Sequence, residues 1–258
     1  MSTKPPIFQN SNLDGTSFFW ESNKGAKTAI LLFHGFTATT VEVKTFAEFF
    51  FKKGFSVSGP LLPGHGVSPE ELNMITYEEW VQTAKEAFIV LKSKFENVFV
   101  VGESMGGLIA LWLSYVFPDQ IKGIILCSPA LRIPGLWKST ILWPFVNQIY
   151  KNNIDLSSPW QGFNVIPLRA ASQLYQFQKI INKILPKIKT PMLVFQGKLD
   201  TTVDQNGSVN IIRNVSSKKR ELVWLEESSH CILLDKQLSL VEKSSLEFIN
   251  NLSERATN

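Results

Sequence analysis

A mostly parallel central sheet with helices on both faces and a helical insertion, an α/β fold, is predicted by three features of this 258-residue sequence. Short apolar runs alternate with segments of helical periodicity over most of the length. Those runs are almost continuously apolar, as strands covered on both faces must be. Between residues 132 and 189 the alternation stops, and three tryptophans, several prolines and two helix-like patches appear instead.

The elements follow in order. "TAILLFHG" (28–35) reads as a buried strand ending in glycine, and "VEVKTFAEFFFKKG" (41–54) as a helix with a glycine stop. "FSVSGPLLPGHG" (55–66) is a strand running into a Pro/Gly loop, and residues 76–95 are a helix that Thr76 can cap. "NVFVVGES" (97–104) is a strand, residues 105–118 a helix stopped by Pro118, and residues 121–131 a further strand. After the insertion come strands at 191–200 and 220–230, a helix-like stretch at 205–213 and a helix at 237–251. Repeated strand–helix units imply a core of residues 1–131 and 190–258, with 132–189 folded over it as a cap. The insertion is too apolar to remain a solvated linker.

Composition narrows the function classes. With 44% hydrophobic and 19% charged residues, the chain has the makeup of a globular protein with a substantial core. The excess of 26 basic over 22 acidic side chains is small and dispersed. Its densest cluster is Lys218-Lys219-Arg220, which argues against nucleic-acid binding. Two cysteines, Cys127 and Cys231, are too few for a disulfide framework and are expected to be inert buried thiols. No signal-peptide pattern and no membrane-length apolar run is visible, so a soluble cytoplasmic protein is expected.

The chemistry centres on "VVGESMGGL" (100–108). Gly102-Glu103-Ser104-Met105-Gly106 is a G-x-S-x-G elbow lying between a strand and a helix. Glycines are needed where strand and helix pass so close that a Cβ would clash, and the helix N-terminus offers unpaired N–H groups to a developing oxyanion. A serine hydroxyl needs a base, and the base an orienting acid. Of three histidines only His230 lies downstream of Ser104, as the order Ser, Asp, His demands. Asp200 ends a strand and is the acid candidate. Its rival Asp204 fits a helix cap instead. The second oxyanion donor after Met105 is expected from the loop "HGFTATT", at Phe36. Glu103 would raise the pKa of His230 if it turned inward, but a solvated or structurally paired side chain is expected.

In this order "LLFHGFTAT", "PLLPGHG", "VVGESMGG", "LVFQGKLDTTV" and "SSHCILLD" resemble the α/β-hydrolase superfamily. More narrowly they resemble its small bacterial carboxylesterases and monoacylglycerol lipases, over roughly residues 28–251. The resemblance implies a catalytic triad of Ser104, Asp200 and His230, with Phe36 and Met105 as oxyanion donors and His65 as a structural loop residue. It implies ester hydrolysis on a small-molecule substrate, without cofactor or metal. Another hydrolase reaction, such as aminopeptidase or C–C bond cleavage, and a non-catalytic binding homologue are the competing readings. Trp137, Trp143, Trp160 and Phe163, with Ile133, Leu136, Ile141, Leu142 and Phe145 between them, are expected mostly to glue the insertion down. Some of that apolar surface is expected to line the acyl pocket, favouring short-to-medium acyl chains.

Overall fold

The computed structural model describes residues 5–22, 25–152 and 154–253. Residues 1–4, 23–24 and 254–258 of the expected core, and residue 153 of the insertion, lie outside it. In chain order the first half holds β1 (Phe8–Gln9), β2 (Phe18–Trp20), β3 (Thr28–Phe33), α1 (Val41–Lys52), β4 (Ser56–Gly59) and α2 (Pro69–Met74). Then come α3 (Tyr77–Lys94), β5 (Asn97–Glu103), α4 (Met105–Val116) and β6 (Ile121–Cys127). Residues 132–189 form α5 (Ser139–Leu142), β7 (Gln148–Tyr150), β8 (Gly162–Phe163), β9 (Val165–Pro167) and α6 (Leu168–Ile184). The chain continues through β10 (Met192–Gly197), α7 (Asn206–Asn214), β11 (Arg220–Leu225) and α8 (Leu238–Ser253).

Seven strands make the central sheet in the order β11-β10-β6-β5-β3-β4-β2. Every pair is parallel except β2 with β4, which is antiparallel. The period of two decides what each face carries. In β3, Ala29, Leu31 and Phe33 join a core built with Trp80, Phe88, Leu108 and Phe177 from α3, α4 and α6. Ile30 and Leu32 point the other way, to Phe46 and Phe50 of α1 and Ile249 of α8. Both faces are therefore dry, which is why the strand runs show no polar alternation. Thr76 does begin α3, with the Glu79 carboxylate accepting its backbone N–H at 2.9 Å.

The expected strands and helices are present, some shorter than read: the last strand stops at Leu225 rather than residue 230. β1, β2 and α2 are additions. The insertion carries both expected helix-like patches, as α5 and α6, and three short strands besides. β7 pairs with β9, and β8 pairs with β1 at the other end of the sequence. Residues 161–163 also grip the loop after β3. Phe163 N–H donates to the Thr37 carbonyl at 2.9 Å, and Thr39 N–H donates to the Gln161 carbonyl at 3.2 Å. Buried Phe177 and Ile181 make α6 part of the helical layer over the sheet. The α5 region is different. Trp137, Ile141, Leu142, Trp143 and Phe145 are all exposed, Phe145 by 85%.

Candidate active site

Ser104 stands at the carboxyl end of β5 with φ +55° and ψ −113°, a conformation non-glycine residues adopt rarely and only under constraint. The constraint is steric and hydrogen-bonded. Ser104 N–H donates to the Cys127 carbonyl of β6 at 2.8 Å, and the Ser104 carbonyl accepts from Ala130 N–H at 3.0 Å. A Cβ on Gly102 would come within 2.0 Å of the Gly106 carbonyl oxygen, and one on Gly106 within 2.1 Å of the Phe33 oxygen. Any side chain at either position would push the helix off the sheet and open the turn.

The His230 ring bridges two partners. Its Nε2 is 2.9 Å from Ser104 Oγ, and its Nδ1 is 2.8 Å from Asp200 Oδ2. Asp200 follows β10, and its carboxylate is further held by the N–H groups of Thr202 (2.8 Å) and Val203 (3.0 Å) and by Gln196 Nε2 (3.1 Å). Burial pushes its pKa up, but His230 and these donors outweigh that and hold it below the usual carboxylate value. An ionised Asp200 accepts a hydrogen bond from Nδ1–H, which leaves the Nε2 lone pair facing the serine hydroxyl. Gly197 makes the approach possible. A Cβ there would lie 2.2 Å from the Ser229 carbonyl oxygen, so only glycine lets the His230 loop pass beside the end of β10.

Phe36 and Met105 flank Ser104 as the sequence places them. Met105 opens α4, where first-turn N–H groups have no intrahelical acceptor. Phe36 follows Gly35, whose N–H donates to the Glu42 carboxylate, and its ring packs edge-on to His65 and Trp80. His34 is wholly buried and accepts Leu62 N–H at 3.1 Å through Nε2. Burial brings its pKa down to about 4, so it is a neutral strut between two loops. His65 is also buried, its pKa pushed down by burial and by His34, with Nδ1 on the Pro63 carbonyl. Neither histidine touches Ser104. Asp204 accepts Asn206 N–H at 2.9 Å in the turn just before α7, whose N-cap is Gln205, and pairs with Arg132; it is a turn former rather than the cap itself. Glu103 turns inward but away from catalysis: its Oε1 accepts Leu233 N–H at 3.2 Å and anchors the segment after His230. Burial and the neighbouring Glu42 hold its pKa well above the usual carboxylate range.

Ser104 and His230 open into a cavity of about 340 Å³, also lined by Phe36, Glu42, Lys151, Trp160, Thr202 and Cys231. A family model described as serine aminopeptidase, S33, matches residues 24–160 and 157–237. The chain belongs to this α/β-hydrolase family. It is 31% identical over 240 residues to a carboxylesterase of Bacillus subtilis (strain 168), covering 89% of this chain and 95% of that protein. It is likewise 31% identical over 255 residues to a thermostable monoacylglycerol lipase of Bacillus sp. (strain H-257), covering 96% and 98%. A solved structure from a study of LipS and LipT, two metagenome-derived lipolytic enzymes, superposes with a TM-score of 0.87 at 27% identity. It covers 92% of this chain and 98% of that one.

The cavity of this hydrolase departs from the apolar acyl pocket expected of the insertion. Of the aromatic residues singled out there, Trp160 lines it, Phe163 is buried in the core, and Trp137 lines a separate cleft with Arg132 and Tyr175. The exposed α5 side chains neither glue the insertion down nor line the cavity. Two residues of the site had escaped sequence reasoning. Glu42 is a wholly buried carboxylate taking Gly35 N–H, Trp160 Nε1–H at 3.1 Å and the Cys231 thiol at 3.6 Å. Its signal was present: Glu42 lies four residues before Phe46 on the apolar stripe of α1. Lys151 comes from an irregular segment of the insertion and left no pattern to find.

Proposed function

We propose that this hydrolase is a serine carboxylesterase acting on short-to-medium-chain carboxylic esters, monoacylglycerols among them, through an acyl-enzyme on Ser104. The observation that carries the proposal is the unbroken chain from Ser104 Oγ through His230 to Asp200, at 2.9 and 2.8 Å, opening into a solvent-accessible cavity. In this reading His230 Nε2 takes the Ser104 proton as Oγ attacks the ester carbonyl. The N–H groups of Phe36 and Met105 receive the oxyanion, where fixed donors are worth most. Protonated His230 then gives its proton to the leaving alcohol, and a water attacks the acyl-enzyme by the same route. Residues 132–189 act as the cap over the carboxyl edge of a core of residues 1–131 and 190–258. A cytoplasmic setting belongs to the same reading, supported by two cysteines that are both free thiols.

Relatives named as esterases and lipases support ester hydrolysis. Aminopeptidase action is disfavoured by the site itself. A substrate α-ammonium would meet the Lys151 cation, while both Glu42 oxygens are already engaged. The test is a panel of p-nitrophenyl esters from acetyl to decanoyl beside monoacylglycerols and aminoacyl p-nitroanilides. Turnover of butyrate to octanoate esters above acetate is expected. Faster turnover of the anilides would replace the esterase assignment with a peptidase one.

A further inference from the structure

Lys151 is a cation placed in the cavity of the proposed nucleophile with no anion beside it. Its Nζ donates to Thr37 Oγ1 at 2.6 Å and sits 4.3 Å from the centre of the Trp160 ring. Among the described residues no carboxylate oxygen comes within 4.0 Å of it. The acids nearby are committed elsewhere. Glu42 is held by Gly35, Trp160 and Cys231, and exposed Asp155 accepts the Ser157 N–H and hydroxyl on its Oδ1.

A half-buried ammonium matched only to a hydroxyl and a ring face lacks the partner that offsets its partial desolvation. Burial accordingly brings its pKa down to about 8, against the opposing pull of Cys231 and Glu42. A purely mechanical tie between the insertion and Thr37 needs a hydrogen bond, which a neutral side chain supplies without that cost. Placement within the substrate cavity provides another resolution, because a substrate can bring the missing acceptor. We propose that Lys151 is the receptor for a carboxylate carried by the substrate, making the preferred substrates esters that bear an anionic group close to the scissile carbonyl. Trp160 orients the ammonium from one side through its ring face. Thr37, whose own hydroxyl donates to the Phe36 carbonyl at 2.6 Å, ties the subsite to the loop of the oxyanion donor.

This inference rests on the esterase reading and is tested so that the two fail separately. Mono-p-nitrophenyl glutarate is compared with p-nitrophenyl pentanoate, placing the charge on the acyl side. Then 3-butyryloxybenzoate is compared with 3-butyryloxybenzamide, placing it on the alcohol side. In the wild-type protein one pair should favour the carboxylate by about ten- to hundredfold in kcat/KM, the effect of one charge-assisted hydrogen bond. In Lys151→Met that ratio should fall to one or below, and Lys151→Arg should restore part of it. Reading a ratio within each variant cancels any general loss from the broken Thr37 contact. If Lys151→Met does not fold, competitive inhibition of the wild type by glutarate, stronger than by pentanamide, carries the same information. Good turnover of the neutral esters without preference in either pair overturns the subsite and leaves the esterase standing. No turnover of any ester removes both.

Discussion

The elbow around Ser104 and the wall facing it, residues 151–152 and 154–164, border one cavity but present different parts of the chain to it. At the elbow the main chain does the positioning. Gly102 and Gly106 pack to distances no Cβ survives, and Ser104 is held at positive φ by bonds to β6 and the segment after it. At the wall, main-chain bonds tie residues 161–163 to the loop after β3, and side chains complete the surface: Lys151 reaches Thr37, Trp160 reaches Glu42, and Gln161 reaches Thr39. A main-chain site tolerates little change and keeps its reaction. A wall of side chains can be rewritten without disturbing the sheet, so it is where substrate choice is expected to reside.

That contrast makes substitutions at the floor costly in rate and substitutions at the wall costly in selectivity. The largest effect should come from Ser104→Ala, which removes the proposed nucleophile and should lower kcat by a factor on the order of 10⁶. Fluorophosphonate labelling should vanish with it while the melting temperature stays near wild type. Residual activity above a tenth would place the nucleophile elsewhere. Next, Asp200→Asn should cost roughly 10⁴ in kcat by favouring the wrong imidazole tautomer, whereas Asp204→Asn should change kcat less than about tenfold. The reverse ranking in steady-state assays would exchange the two acids.

At the wall the expected effect is smaller and depends on pH. Lys151 is cationic below its pKa of about 8 and neutral above it. The preference for a carboxylate ester over its neutral counterpart should therefore be fully present near pH 6.5 and lost as pH rises through that value. The titratable groups around Lys151 are Glu42, Asp155, His65 and Cys231. Burial and nearby carboxylates raise the Cys231 thiol, and burial raises the Glu42 carboxyl as well. His65 is neutral there, and exposed Asp155 is ionised throughout. A ratio flat from pH 6.5 to 9.5 would contradict the cationic role. The smallest effect belongs to α5: Phe145→Ser, at a side chain 85% exposed, should shift unfolding free energy by no more than about 0.5 kcal/mol in urea titration. A larger loss would mean that this face is covered in solution.

Much of the floor was legible in the linear chain because its causes are short-range. Dry strands demand unbroken apolar runs, the elbow demands glycine at Gly102 and Gly106, and chain order left His230 as the candidate base. Asp200 and Asp204 were separable for the same reason, since one ends a strand and the other precedes a helix. β2 was missed because three half-exposed residues carry too little periodicity to register.

The sequence by itself determined the layered α/β frame, the residues able to act as nucleophile, base and acid, and the turn that strains Ser104. Only the tertiary structure decided which side chains stand across from them. It brought Lys151 to Thr37 over a separation of 114 residues and Trp160 to Glu42 over 118. It also left the apolar α5 face outside the cavity that its composition had suggested it would line. The physical reason is the range of the forces involved. Backbone sterics and hydrophobic periodicity act within a few residues and leave a pattern in the chain. The convergence of one lysine, one indole and one carboxylate is settled only when distant segments pack, and no local pattern records it.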